Sequence, residues 1–321
     1  MSMESAFDSF QQSVNADPEQ VRLARARRDT FKQAFASEGD VTEVFGSGSL
    51  ARSTQLAPVH DVDLVVVYKA AEHDDWGRAG QSAEDALRHV QSKVTSLLGA
   101  NGTVSQLVRE TRVAGRNRSV KCFIDPPDDD AAFTVDVMPV LRTEAGILLV
   151  PGARDKRWDE ANPEYLIEAV AAKQQEWPHF RGVVRMLKSW RLDQKPAIKS
   201  LVMEVLALKC LQVGQNRPTA LRDFFAAAAV EVFYGVEDPA GYCGPIQTDL
   251  DVEAVSSCLS VAHDYARYAC TAAESGDANT AKYWWRQVFG TDFPGPAEAS
   301  PAPPIAPPID TPRPVRDAPQ G

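Results

Sequence analysis

A change of hydrophobic periodicity near the middle of the chain constrains the fold more than any other feature. From residue 41 to about residue 150, short segments rich in β-branched residues alternate with Gly, Pro, Asn and Asp, which predicts strands. These segments read VTEVF, DVDLVVVY, VSQLVRE, SVKCFI, FTVDVMP and GILLV. After about Pro151 the apolar residues recur at helical spacing instead. We therefore expect a sheet in the first half of the chain and a helical region in the second.

Helices are also expected before the sheet and within it. Residues 5–37 have helical periodicity with a break near Asp17, which resembles an N-cap, with Pro18 as the first helical residue and Gln20 as a capping-box amide. The stretch 81–99 has apolar residues at helical spacing and ends in glycine. It predicts a helix that crosses between the second and third strands.

Charge and cysteine content narrow the classes of partner and the compartment. The formal net charge of −10 opposes binding to long nucleic acids, which depends on neutralising many phosphates, but leaves room for a small anionic nucleotide. The five cysteines stand at irregular spacings, as is typical of reduced thiols. No apolar run approaches the roughly 18 residues of a membrane span. We therefore expect a cytoplasmic protein that has no membrane partner.

Three aspartates are flanked by apolar strand residues. Asp61 and Asp63 are two residues apart in DVDL, so their side chains leave the same face of a strand, and Asp136 in FTVDVMP can lie opposite them on a neighbouring strand. Buried carboxylates must be paired, protonated or metal-bound, and three of them suit two hard divalent cations. Alternatively, the first two cap backbone N–H groups at a strand start. The charges of EHDD, residues 72–75, are expected to be solvated.

The segment GSGSLARST precedes the aspartate pair. Its small residues let the backbone approach a ligand closely, and its hydroxyl and amide groups at a predicted helix start suit a phosphate. Eleven residues separate Ser49 from Asp61, enough for one short helix that returns the chain to the sheet. Gly/Ser turns are common, so this segment on its own is a weak signal.

Together, this GS segment, DVD on the next strand and the single acid in VDVMP resemble the nucleotidyltransferase superfamily built on the DNA polymerase β-like palm. GSLARST is similar to the GSxxRGT form of the cGAS/DncV-like nucleotidyltransferases (CD-NTases) of bacterial CBASS antiphage systems and of their oligoadenylate synthetase relatives. The register that aligns Arg52 favours Gly48 and Ser49 over the preceding Gly-Ser pair, and the resemblance implies that Gly48, Ser49 and Arg52 bind the nucleotide. Ser53 stands where this form usually has glycine.

The resemblance implies an α+β fold, in which a polymerase β-like palm with a mixed or antiparallel sheet is followed by a helical domain like that of oligoadenylate synthetases. We expect N-terminal helices that pack on the core in residues 1–40, the nucleotidyltransferase catalytic domain in 41–157 and the helical domain in 158–293. Residues 294–321 hold ten of the 22 prolines, so we expect a disordered tail there.

In the helical half, RMLKSWR followed by IKSLVMEVLAL resembles a helix pair of the family in which a lysine and a downstream serine hold the donor triphosphate. These residues would be Lys188 and Ser200 here. Apart from the resemblance, a solvent-facing lysine on an amphipathic helix and a serine at a helix start are common features with no such role. The resemblance favours the triphosphate-binding interpretation.

The resemblance also implies a reaction. Asp61 and Asp63 would hold one Mg²⁺ or Mn²⁺ ion on the donor's β- and γ-phosphates, and together with Asp136 they would hold a second ion that activates the acceptor's ribose hydroxyl. Attack on the α-phosphate of an NTP, ATP or GTP, would expel pyrophosphate, with Ser49 among the residues that grip it. The product would be a cyclic or short linear oligonucleotide second messenger, read by a downstream effector.

Other functions of the same fold remain open at this point. They are RNA tailing, nucleotidylation of an antibiotic or a protein, and nucleotide sensing without turnover. The acidic charge disfavours a long RNA substrate, and three intact carboxylates count against a sensor. The chain ends in Gly321. In some CBASS systems an E1/E2-like ligase joins such a terminus to a target; an ordinary chain end is the alternative.

Overall fold

The computed structural model describes residues 2–99 and 106–296, which contain seven strands and ten α-helices. The strands are β1 (Val41–Ser47), β2 (Asp61–Tyr68), β3 (Glu110–Arg112), β4 (Val120–Phe123), β5 (Thr134–Arg142), β6 (Leu148–Gly152) and β7 (Arg157–Ala161). The helices are α1 (Met3–Val14), α2 (Pro18–Ala36), α3 (Gly48–Arg52), α4 (Ser82–Leu98), α5 (Pro163–Glu176), α6 (Phe180–Trp190), α7 (Ser200–Cys210), α8 (Arg217–Glu231), α9 (Val252–Glu274) and α10 (Ala278–Phe289). The predicted α+β organisation, sheet first and helices second, is confirmed.

The strands form one mixed sheet in the order β1-β2-β5-β4-β3, and β6 pairs with both β5 and β7. Only β2 and β5 run parallel within the described sheet. Their register sets Asp63 directly opposite Asp136, and Asp61 lies two residues before Asp63 on β2. Because side chains alternate along a strand, all three aspartates lie on the same face of the sheet.

The buried apolar side chains of the described residues form a sheet core, a helical core and a smaller cluster of residues from β2, β5, β6 and β7. In the sheet core, Phe31 of α2 and Val90 of α4 pack with residues of β2, β4 and β5. In the helical core, α1 joins the helices of the second half, and Phe7 meets Trp285 edge to face at a centroid distance of 5.0 Å. The two helices of the predicted N-terminal unit therefore pack in different cores. The domain boundaries remain a prediction.

The start of α2 shows how the sequence sets local structure. The Asp17 carboxylate accepts hydrogen bonds from the backbone N–H groups of Glu19 and Gln20, so the predicted N-cap is confirmed. The predicted capping box is wrong, because the Gln20 side chain accepts a hydrogen bond from the backbone N–H of Val59 instead. Gln20 therefore ties α2 to the loop before β2, which is a tertiary contact that the local pattern does not reveal.

Two strand predictions need correction. The third strand was expected at 104–110, but β3 spans Glu110–Arg112, and residues 100–105 lie outside the described residues. The sequence RWDEA after Pro151 forms β7, although no strand is expected there. This strand pairs only with β6, so it needs no alternation of apolar residues and is invisible to a pattern of buried strands.

Within the described ranges no helix is long and apolar enough to cross a membrane. The predicted Pro-rich tail, 294–321, lies almost entirely outside the described residues, as does Gly321.

Candidate active site

The eight candidate residues for nucleotidyl transfer line the same cleft. It has a volume of about 680 Å³ and lies between the β2–β5 face of the sheet and helices α3, α6 and α7. The lining includes Gly48, Ser49, Arg52, Asp61, Asp63, Asp136, Lys188 and Ser200. Residues up to 152 positions apart in sequence therefore meet in one place, although their individual roles stay predictions.

The three aspartates, called the carboxylate trio below, form the sheet side of the cleft. Asp63 and Asp136 are neighbours across the parallel β2–β5 pair, while Asp61 lies at the exposed start of β2. Burial, followed by the negative charges of Asp61 and Asp136, raises the pKa of Asp63 to about 6. Like charges on neighbouring side chains repel one another, so the carboxylate trio attracts cations.

Asp136 has partners of its own. Its Oδ1 accepts a hydrogen bond from Arg116 Nη2 at 2.5 Å and one from the Ser119 hydroxyl at 3.3 Å. Burial raises the pKa of Asp136, whereas the positive charges of Arg116 and Lys121 act against that rise. A cation at Asp136 therefore binds its other oxygen or displaces Arg116.

Gly48 is the position in the GSGS segment where only glycine fits. Its φ is +67°, in the left-handed region, and a Cβ there would lie 1.7 Å from Asp63 Oδ2. At Gly46, by contrast, a Cβ would meet only the flexible side chain of Arg28, at 3.0 Å. This geometry supports the choice of Gly48 and Ser49 over the preceding Gly-Ser pair, because Gly48 brings the backbone against the carboxylate trio.

The helical side of the cleft contains three buried charged residues, called the ion trio below. Glu204 of α7 accepts hydrogen bonds from Arg52 Nε at 2.7 Å and from Lys188 Nζ at 2.8 Å. Lys188 also donates to the carbonyl of Thr54 at 2.8 Å. Burial alone would raise the pKa of Glu204, but the charges of Arg52 and Lys188 outweigh it and lower that pKa. The trio carries a net positive charge and joins α3 to α6 and α7.

Lys188 is therefore not the solvent-facing lysine that a helical wheel suggests. It is 3% exposed and its ammonium group is hydrogen-bonded within the protein. Arg185, one turn earlier, donates to the Asn15 side chain and to the carbonyl of Ser53, both at 2.7 Å. These two basic residues of α6 hold the segment after α3 in place from the helical half.

The sequence reasoning missed Glu204, Arg116 and Ser119. Glu204 had a usable signal, since an acid within LVMEVLAL faces the same burial cost as Asp136 within FTVDVMP. Arg116 and Ser119 belong to the loop between β3 and β4, whose sequence has no periodicity to indicate which side chains turn toward the cleft.

The donor set of the carboxylate trio fits Mg²⁺ or Mn²⁺, since all its ligands are oxygens and burial, together with the charges of Asp61 and Asp136, raises the pKa of Asp63. Among the described residues only another group, Asp40, His73 and His89, brings three ligand atoms within 4.8 Å of one another. The oxygens of the carboxylate trio therefore do not all lie within 4.8 Å of one another, and an ion held by all three aspartates requires their side chains to rotate toward it.

The chain is similar to a known family and to known proteins. Residues 1–174 match the model of the family described as Second Messenger Oligonucleotide or Dinucleotide Synthetase domain. A probable cyclic nucleotide synthase of Bacillus cereus strain VD146 is 22% identical over 331 residues, which cover 90% of this chain and 97% of that protein.

Solved structures show the same fold. That of CdnC from E. coli MS115-1 with ATP has a TM-score of 0.69 at 18% identity and covers 91% of this chain and 99% of that chain. That of the CD-NTase CdnG from Bradyrhizobium diazoefficiens with GTP has a TM-score of 0.62 at 14% identity and covers 89% of this chain and 95% of that chain. The similarity extends across the sheet and the helical half alike.

Proposed function

This chain belongs to the family of Second Messenger Oligonucleotide or Dinucleotide Synthetase domains, and from that premise we propose how its cleft works. Family membership confirms the predicted CD-NTase resemblance and the class of activity, condensation of NTPs into an oligonucleotide second messenger. The observation that carries the residue-level proposal is the like-charged carboxylate trio facing the net positive ion trio across one cleft.

The carboxylate trio holds the divalent ions. Asp61 and Asp63 would bind the ion on the donor's β- and γ-phosphates, and all three aspartates would share a second ion at the acceptor hydroxyl. When bound, Mg²⁺ or Mn²⁺ would offset the phosphate charge and lower the pKa of that hydroxyl. Asp136 would also accept the hydroxyl proton, and in the metal-free protein burial raises its pKa.

The proposed reaction forms one bond and breaks one bond at the donor's α-phosphorus. The acceptor's ribose oxygen forms a bond to the donor's α-phosphorus, its proton passes to Asp136, and the bond from the α-phosphorus to the bridging oxygen breaks to release pyrophosphate. Gly48 lets the backbone approach the phosphates, and the hydroxyls of Ser49 and Ser200 would donate to the leaving group. Lys188 would act mainly through the positive charge of the ion trio, because its hydrogen bonds go to Glu204 and Thr54.

ATP, GTP or both are the substrates that we propose. The solved relatives were obtained with ATP and with GTP, and further curated relatives are cyclic AMP-AMP-AMP synthases. The product would be cyclic or short and linear, and a separate effector would read it. We place the reaction in the cytoplasm, in keeping with five cysteines that are all free.

The test of the function is product analysis. The protein is incubated with all four NTPs and Mg²⁺ or Mn²⁺, and products are identified by mass spectrometry beside an Asp61→Ala/Asp63→Ala double variant. We expect pyrophosphate and a short oligonucleotide from the wild type only. Extension of an added RNA primer would favour RNA tailing instead. A wild type that matches the double variant with every NTP, with and without its cognate activator, would contradict the proposal.

A further inference from the structure

A second group of potential metal ligands lies outside the cleft. Asp40 precedes β1, His73 follows β2, and His89 lies on α4. The β1–β2 pairing begins with Val41 opposite Tyr68 and ends with Ser47 opposite Asp63. The group therefore lies at the far end of β2 from the carboxylate trio, about 17 Å away along the strand.

The geometry of this group matches a zinc site. His73 Nε2 and His89 Nε2 lie 3.2 and 3.1 Å from Asp40 Oδ2, and all three ligand atoms lie within 4.8 Å of one another. Ligands at tetrahedral zinc, 2.0 to 2.1 Å from the metal, are about 3.3 Å apart. Two imidazole nitrogens and one carboxylate oxygen are ligands that zinc accepts, whereas Mg²⁺ prefers oxygen alone.

Neighbouring side chains hold these ligands in place. Lys93, one turn after His89 on α4, donates to Asp40 Oδ1 at 2.9 Å and also contacts Glu38, which leaves Asp40 Oδ2 turned to the two histidines. His73 stacks on Trp76 at a centroid distance of 4.0 Å. Outer contacts of this kind are what orient metal ligands.

An unpartnered hydroxyl points to a bound ligand as well. The Tyr68 hydroxyl is buried and has no hydrogen-bond partner in the described part of the chain, although the Tyr68 ring meets the rings of both histidines, at 5.3 and 5.5 Å. A buried polar group without a partner is costly unless something binds there.

We propose that Asp40, His73 and His89 bind one structural Zn²⁺ ion, with a water molecule as fourth ligand that donates a hydrogen bond to the Tyr68 hydroxyl oxygen. The ion would fasten α4 and the loop after β2 to the sheet. It would be separate from the catalytic ions in position, in ligand chemistry and in purpose.

The sharpest test uses the full chain with Asp61→Asn/Asp63→Asn, which removes the pair of catalytic ligands. After treatment with a chelator, this parent protein is titrated with Zn²⁺ against a chromogenic chelator and with Co²⁺ by visible absorption. His73→Gln and His89→Gln are compared with it, because glutamine keeps an N–H that can donate to Asp40 but is a poor zinc ligand. His179→Gln, at an exposed position outside the group, is the matched control.

We expect one Zn²⁺ per chain, an intense visible band with Co²⁺, and a Tm that rises with zinc in the parent and in the His179 variant. Each of the other two glutamine variants should bind zinc at least about 100-fold more weakly. Circular dichroism of the zinc-free variants verifies that they are folded. Because the two histidines are substituted separately, a variant that fails to fold leaves the other to test the site. A parent that binds no zinc, or zinc affinity that neither substitution weakens, would overturn the proposal and leave a hydrogen-bonded Asp-His pair.

Discussion

The two walls of the cleft, the carboxylate trio on the sheet side and the ion trio on the helical side, differ in how their buried charges are balanced. In the carboxylate trio, Asp61 and Asp63 have like charges, and burial with those charges raises the pKa of Asp63 to about 6. In the ion trio, Glu204 is hydrogen-bonded to two cations and is only 1% exposed. The first wall holds like charges whose repulsion a bound cation would relieve, while the charges of the second are paired within the protein. In the proposed function the first wall therefore binds the ions and the second positions the residues around it.

The largest expected effect is on catalysis at the carboxylate trio. Asp136→Asn removes a metal ligand and the proposed base, so NTP turnover should fall by at least about 1,000-fold. Pyrophosphate release measures this loss. Asp130→Asn, in an exposed loop, is the control and should keep wild-type turnover. An Asp136→Asn enzyme within tenfold of the wild type would show that this wall does not carry the chemistry.

The same change in the ion trio should act on stability first. Glu204→Gln leaves Arg52 and Lys188 buried without a countercharge and should lower the free energy of unfolding by about 3 kcal/mol. Urea denaturation measures it. Glu231→Gln, which removes the partner of Lys209 in a partly exposed ion pair, should cost less than about 1 kcal/mol. Equal losses in the two variants would mean that the ion trio is no more than a surface-like contact.

The repulsion within the carboxylate trio should appear as a pH effect in metal-free protein. The pKa of Asp63 is about 6 in the fold and 3.8 as its ordinary value, so folding favours the protonated form. The contribution of Asp63 to stability is therefore fully present below about pH 4 and is lost as the pH rises through 6.

Asp63→Asn removes this penalty and should raise the free energy of unfolding at pH 8 by up to about 3 kcal/mol, with little change near pH 4. Urea denaturation with a chelator present measures both values. Added Mg²⁺ should recover much of the same stability in the wild type. A variant that is less stable than the wild type at pH 8 would show that Asp63 is already paired.

The smallest effect is expected where the two walls join. Ser53 ends α3 with φ 57° and ψ 38°, a left-handed conformation that favours glycine. Ser53→Gly should raise the free energy of unfolding by about 0.5 kcal/mol, after the greater entropy of glycine in the unfolded chain is subtracted. Ser37→Gly, at a helix end with φ −82°, should lower it instead, and a thermal melt distinguishes the two signs.

The cost of burying a charged side chain also explains which site residues the sequence could predict. Asp63 and Asp136 were predictable because an acid within an apolar strand has a physical cost that must be offset, and β2 and β5 are adjacent as expected. Glu204 carries the same signal on a helix. The charges expected to be solvated in EHDD, Glu72, Asp74 and Asp75, are exposed, but His73 between them has a side chain only 10% exposed, which meets Asp40, 33 residues away. Local sequence does not encode such distant contacts.

The register of the Gly-Ser segment is a further instructive case. The sequence favoured Gly48 through its distance from Arg52, and the structure adds a reason: only a glycine there can lie against Asp63. The partner of Arg52 was beyond prediction, because Glu204 is 152 residues away and α3 meets α7 only through tertiary packing, whereas Lys188 and Glu204 lie 16 residues apart on successive helices.

The proposal that the carboxylate trio is a cation site for the triphosphate is tested most directly by the binding of a non-hydrolysable ATP analogue with and without Mg²⁺. Calorimetry compares the wild type with Asp61→Asn/Asp63→Asn. We predict that Mg²⁺ strengthens binding to the wild type by at least about 100-fold, since the bare trio repels the phosphates, and has little effect on the double variant. If Mg²⁺ changed the affinity for the analogue equally in the two proteins, the carboxylate trio would not be the cation site.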